Sequence, residues 1–162
     1  MGRPLDAWIQ SRLSRRAVLE TLDTLLHAVP PRVVAVGMAD IDGMKRINDG
    51  FGHQCGDDAL HAVAAALEPG AMVGRYGGDE FIVILEDASL ADVGEYRRQV
   101  TSRLEEWNAA RDDGLDLAVS LGFAFAPAEG SSAAELIGLA DRSMYDVKDI
   151  KAVVSRGTST AA

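Results

Sequence analysis

Two groups of carboxylates in this chain stand where charge is costly. Asp40-Ile41-Asp42 ends an apolar run over residues 33–39, and Arg75-Tyr76-Gly77-Gly78-Asp79-Glu80 leads directly into Phe81-Ile82-Val83-Ile84-Leu85. A carboxylate at the mouth of a buried strand is unfavourable unless a cation offsets it. In an extended segment Asp40 and Asp42 share one face while Ile41 takes the other. If the strand ending at Asp40 lies beside the one that follows the Gly77-Gly78 turn, then Asp40, Asp79 and Glu80 converge at one end of a sheet. Oxygen donors alone, without imidazole or thiolate, suit Mg²⁺ or Mn²⁺. Two such ions, or one ion with a positioned base, serve in-line attack on a phosphoryl group. Each group taken singly also reads as a solvated turn, because Gly-Gly-Asp-Glu is acceptable turn composition. Their joint placement against apolar strands favours a site.

Between them runs Asn48-Asp49-Gly50-Phe51-Gly52-His53-Gln54-Cys55-Gly56-Asp57. Its three glycines allow close approach of backbone to a ligand. Asn48 and Asp57 are candidates for reading a base edge: a carboxylate accepts two parallel donors, which guanine supplies and adenine does not. The plainer reading makes Asn48 a turn residue and Asp57 the N-cap of the next helix, and both roles can hold together. His53, Cys55 and His61 have no common zinc spacing and read as loop and helix residues.

The elements that must position these groups follow from periodicity. An amphipathic helix, or two short ones, is expected over residues 5–28, with Leu19, Leu22, Leu25 and Leu26 at helical spacing, and Pro30-Pro31 stops it. A buried strand spans 33–40, a short helical turn or helix 43–50, a polar loop 52–56 and a helix 57–67. A hairpin follows, 72–76 and 81–85 about Gly77-Gly78. Ser89 and Asp92 cap a helix to about Asn108. Leu115 to Phe125 alternates as a strand, and Ser132-x-x-Glu135 opens a last helix through Tyr145 and Lys148. A short closing strand at 152–155 is an option. One hairpin among helical connections predicts an α+β domain with a mainly antiparallel central sheet flanked by helices.

Three motifs in this order and spacing resemble the GGDEF-domain diguanylate cyclases: Asp40-Ile41-Asp42-x-x-Lys45, Asn48-Asp49-x-x-Gly52-His53-x-x-Gly56-Asp57, and Arg75-Tyr76-Gly77-Gly78-Asp79-Glu80-Phe81. The later Ala140-Asp141-x-x-Met144-Tyr145-x-x-Lys148 resembles the family's final helix. The resemblance spans roughly residues 14–150. It implies a fold related to class III nucleotide cyclases and polymerase palms, and condensation of two GTP into cyclic di-GMP with release of two pyrophosphates. It further implies that Asp40, the Ile41 carbonyl, Asp79 and Glu80 hold Mg²⁺ or Mn²⁺, two ions per active site. Asp79 and Glu80 are the catalytic pair, with Glu80 as ligand or as base towards the 3′-hydroxyl. Asn48, His53 and Asp57 face guanine, Lys45 and Lys148 reach the phosphates, and Gly77 and Gly78 border the substrate. Each domain holds one GTP, so activity requires a homodimer. An upstream sensor domain or a regulatory protein is a common companion.

The departures from the family are specific. Its opening Asp-x-Leu-Thr-Gly-Leu-x-Asn-Arg-Arg is reduced to Arg15-Arg16, its phosphate-binding Arg after Lys148 is missing, and its product-inhibition Arg-x-x-Asp falls on Glu68-Pro69-Gly70-Ala71. They raise the alternative of a degenerate, non-enzymatic module of the same fold that binds GTP or a protein partner. The expected organisation is an N-terminal helix over 1–28, the catalytic domain over 29–154 and a flexible tail over 155–162.

Length and composition agree with a single domain. The 162 residues are 48% apolar and 25% charged, with a formal net charge of −9. That balance lacks the basic face of a protein held to nucleic acid or to anionic membrane. The single cysteine, Cys55, allows no internal disulfide. No apolar run nears a membrane span and no signal-peptide layout opens the chain, so a cytoplasmic location is expected.

Overall fold

The computed structural model describes residues 14–158. Helix α1 (Arg15–Leu26) leads to strand β1 (Val34–Ile41), a helix pair α2 (Met44–Phe51) and α3 (His53–Leu67), and the hairpin β2 (Met72–Arg75) and β3 (Glu80–Glu86). Then come α4 (Leu90–Ala109), β4 (Val119–Ala126) and the long α5 (Ala133–Thr158). The four strands pair antiparallel in the order β2-β3-β1-β4. The element order and the α+β class are those the sequence predicts. The part of the first helix before Ser14, with Trp8, lies outside the described residues.

The helix starts obey local chemistry. Ser14 Oγ accepts from the Ala17 N–H, and Ser89 and Asp92 form a reciprocal capping box. Glu135 accepts from the Ser132 N–H while Ser132 Oγ accepts from the Glu135 N–H.

Strand β1 lies at the centre and is buried on both faces. Ala35, Ala39 and Ile41 join α3 and α4 in one core, with Leu60, Val63, Val93, Tyr96 and Val100. Val34, Val36 and Met38 join α1 and α5 in the other, with Val18, Leu22, Leu136, Ala140 and Met144. The alternation carries over to its neighbours, so even-numbered residues of β1, β3 and β4 face α5. Helix α5 approaches so closely that a Cβ on Gly122 of β4 would stand 2.1 Å from the Met144 nitrogen and 2.3 Å from the Ala140 oxygen. Only glycine lets that backbone rest on the sheet.

Three expectations need correction. The loop expected over 52–56 is helical from His53, with Gly52 alone at φ +87° turning the chain between α2 and α3. Asp57 therefore lies inside α3 and is not its N-cap. The strand expected from Leu115 pairs only from Val119, because β1 ends at Ile41 and the Asp42 N–H closes the ladder on the Ala118 carbonyl. Residues 152–155 form no strand but continue α5, whose turns already satisfy their backbone.

Gly122→Ala is expected to force α5 outward and lower stability by about 1–3 kcal/mol, the usual cost of overpacking. Urea denaturation checks this as a lower midpoint at unchanged slope. An unchanged midpoint would mean that the helix does not seat on this strand.

Candidate active site at the end of the central strand

The register of β1 against β3 sets Asp40 opposite Glu80. Both are even-numbered positions, so both carboxylates emerge on the α5 face. Beyond them the chain is held from two sides: the Ile41 N–H donates to the Asp79 carbonyl at 3.3 Å and the Asp42 N–H to the Ala118 carbonyl at 2.9 Å. The turn is drawn tight by Arg75, whose Nε donates to the Gly77 and Gly78 carbonyls and whose Nη2 donates to Gly78. Tyr76 N–H and Gly77 N–H both donate to the Glu80 carbonyl. The connection is thus a wider loop than a two-residue turn. A side chain on Gly77 would meet Glu80 Oε2 at 2.5 Å, so the glycine leaves room for that carboxylate.

Helix α5 completes the cluster. Lys148 donates to Asp40 Oδ1, and both side chains are mostly buried. Seven residues earlier, two helical turns away, Asp141 lies near enough to act electrostatically on Glu80. Lys151 donates to Asp42 Oδ2 at 2.7 Å and to the Val119 carbonyl at 2.8 Å. Ser120, fully buried, donates to Asp42 Oδ1 at 2.6 Å.

The electrostatics are those of crowded negative charge. Burial raises the Asp40 carboxyl above its ordinary value, with Asp79 and Asp42 adding to the rise and Lys148 opposing it. Burial also raises Glu80, helped by Asp40, Asp141 and Asp79. Two lysines, Lys148 on Asp40 and Lys151 on Asp42, offset a group of five carboxylates only in part. All the donors are oxygen, and their mutual repulsion is of the kind a hard divalent ion relieves, so the residues fit Mg²⁺ or Mn²⁺. They do not form a closed cage: among the described residues no three His, Cys, Asp or Glu side chains stand together in ion-holding geometry.

The structure thus brings Asp40, Asp79, Glu80 and Lys148 together. The other candidates sit on the helix pair that follows β1. Asn48, on α2, packs its side chain over Gly56 of α3, where a Cβ would lie 2.0 Å from Asn48 Oδ1. Asp57 follows at the next position, half-buried, while Lys45 and His53 are exposed. No hydrogen bond or ion pair among the described residues joins these four to the carboxylates. Sequence reasoning gave no role to Arg75, Ser120, Asp141 or Lys151. Arg75, Asp141 and Ser120, the last in Ser120-Leu121-Gly122, do fall inside stretches that resemble the family, but the grip of Ser120 and Lys151 on Asp42 spans 78 and 109 residues.

Comparison with known proteins points the same way. The family model described as "Diguanylate cyclase, GGDEF domain" matches residues 13–152. The bifunctional diguanylate cyclase/cyclic di-GMP phosphodiesterase MucR of Pseudomonas aeruginosa is 32% identical over 86% of this chain and 21% of its own length. Diguanylate cyclase DosC of Escherichia coli is 36% identical over 71% of this chain and 26% of its own. The chain therefore spans about a quarter of the length of these relatives. Among solved structures, the GGDEF domain of PA1120 (TpbB or YfiN) from Pseudomonas aeruginosa superposes with a TM-score of 0.73 at 28% identity, covering 87% of each chain. Among the described residues no helix is long and apolar enough to cross a membrane.

A raised carboxyl binds its proton more tightly in the folded than in the unfolded chain. Stability therefore falls as pH rises from the ordinary glutamate range through the folded value. Without divalent ions, Glu80→Gln is expected to raise the thermal midpoint at neutral pH and to flatten its fall between mildly acidic and neutral pH. Parallel melting curves for the two proteins would refute the crowding.

Proposed function

Because the chain belongs to the GGDEF-domain diguanylate cyclase family, we propose that it condenses two GTP into cyclic di-GMP and two pyrophosphates across a homodimer of half-sites. The observation that carries this reading is the Asp40–Glu80 register, with Asp79 beside it and Lys148 above. In each half-site the 3′-hydroxyl of one GTP attacks the α-phosphorus of the other. A P–O bond forms, the bond to pyrophosphate breaks, and the hydroxyl proton leaves to a base. Glu80 serves as that base or as a metal ligand, and its raised affinity for protons suits it to the first task. Lys148 moves from Asp40 to the phosphates as the nucleotide enters. Asn48 and Asp57 hold guanine with His53 beside them, Lys45 assists at the phosphates, and Gly77 and Gly78 let the turn lie against the substrate. Divalent ions held by Asp40, the Ile41 carbonyl, Asp79 and Glu80 would neutralise the phosphoryl oxygens. Two protomers are needed because each hydroxyl must lie in line with the partner nucleotide.

A second reading, a GTP-binding module without turnover, is favoured by one observation. The family's second phosphate-binding Arg is missing from the stretch Asp149-Ile150-Lys151-Ala152-Val153 after Lys148, and α5 runs straight through it.

The assay is purified protein with GTP and Mn²⁺ at concentrations high enough to dimerise, followed by mass spectrometry. Cyclic di-GMP is expected; GTP binding without product, even from a tethered dimer, would leave the module reading. Asp79→Asn is expected to cut turnover by about 100-fold or more and to lose the rise in thermal midpoint that Mn²⁺ gives the native protein. Unchanged activity and an unchanged Mn²⁺ response would remove Asp79 from the metal site.

The product is not expected to inhibit. Glu68 and Ala71 replace the Arg and Asp of the family's inhibitory motif, and the neighbouring hollow is lined by Glu86, Asp87, Asp92 and Glu95, which repel a dianion. Initial rates measured with micromolar cyclic di-GMP should match those without it. Sub-micromolar inhibition abolished by changing Glu68 or Ala71 would contradict this.

A further inference from the structure

Helix α4 seals the core through Tyr96, Val100 and Leu104, yet its first two turns overhang a hollow of about 620 Å³. Val33, Leu90, Val93, Phe123 and Phe125 supply its apolar wall, and Arg97 reaches into the same space. Phe125 pairs with Ala35 near the start of β1, so the hollow opens at the end of the sheet away from Asp40. It is also separate from the acid-lined hollow beside Glu68, which uses the Asp92, Glu95, Tyr96 and Gln99 face of α4.

Arg97 is the unusual member. Its guanidinium lies 5.4 Å from the Phe123 ring centroid, and its Nε is buried with no acceptor. Among the described residues no carboxylate comes within ion-pair reach of it. Glu129, the acid of this hollow, accepts instead from the Phe125 N–H at 2.8 Å. At the helix start Ser89 and Asp92 satisfy each other. Burial alone lowers the guanidinium below its ordinary value. A half-buried cation whose Nε has no acceptor is unfavourable until an anion meets it. Apolar walls around one placed cation, with the hollow's acid already engaged by the backbone, are at this volume the anatomy of a small-molecule site.

We propose that this hollow binds a small amphipathic carboxylate, an aryl or alkyl acid. Its apolar body lies against Leu90, Phe123 and Phe125, and its carboxylate takes paired hydrogen bonds from Arg97. The site is independent of the nucleotide chemistry at the other end of β1 and stands whether or not the chain turns over GTP.

The test uses 4-phenylbutyrate and decanoate, each beside its neutral amide, with thermal melting and backbone-amide NMR as readouts. The acids are expected to raise the melting midpoint and to shift resonances of residues 88–97 and 123–129. The amides should bind about tenfold more weakly, the worth of one charge-assisted hydrogen bond. Arg97→Met should abolish the preference for acid over amide. Leu90 is 78% exposed at the rim, so Leu90→Asp should fold normally and weaken the acids by repulsion; it decides the matter if Arg97→Met does not fold. Equal binding of acid and amide, indifference to Leu90→Asp, or no shifted resonance at millimolar acid would each overturn the proposal. Binding of an acidic, apolar peptide where the free acids fail would overturn it in favour of a protein partner.

Discussion

Like charges meeting at the end of β1 are the constraint around which this molecule is arranged. Antiparallel register leaves no freedom: once β1 pairs with β3, Asp40 and Glu80 are opposite each other, and Asp79 is tied to Ile41 by a backbone hydrogen bond. A pair of facing carboxylates is destabilising, and Lys148, lying on Asp40, offsets part of that cost. The same lysine suits phosphate. The ion pair therefore combines, in one contact, the charge balance of this end of the sheet and a cation able to change partner. Asp42 has a different fate. Ser120 and Lys151 occupy both of its oxygens, which makes it a fastener between β1, β4 and α5 and leaves Asp40 as the carboxylate able to change partner.

Helix α5 is the element that brings countercharge and extra acid to the sheet. Asp141 and Lys148, seven residues apart, return to the same helical face and so arrive together above Glu80 and Asp40. How deep they sit is decided by a residue with no side chain at all. Gly122 lets the α5 backbone touch β4 between Ala140 and Met144, beside Asp141 and one turn before Lys148. The chemistry of the site thus depends on a close approach in which no functional group takes part.

Much of this was legible in the sequence, for identifiable reasons. The hairpin was readable because Gly77-Gly78 interrupts two apolar runs, and the capping boxes because Ser89/Asp92 and Ser132/Glu135 carry their own signals. Asp40 and Glu80 could be placed together because a strand period of two fixes faces once neighbours are guessed. Misreadings arose where a local signal was overruled by distant pairing. Leu115 to Ala118 alternate like a strand, but β1 has already ended and offers them no ladder. Gly52 and Gly56 looked like two ends of a loop, yet only Gly52 breaks the helix, while Gly56 makes room for Asn48. The fastening of Asp42 by Ser120 and Lys151 was invisible, since nothing local marks contacts made across most of the chain.

The double burial of β1 has a consequence for motion. Its residues feed both hydrophobic cores, so its amides can meet solvent only when both open at once, which is to say when the whole domain unfolds. Hydrogen exchange would find the amides from residue 34 to 39 among the last to open, so the strand that presents Asp40 holds its place for as long as the domain is folded.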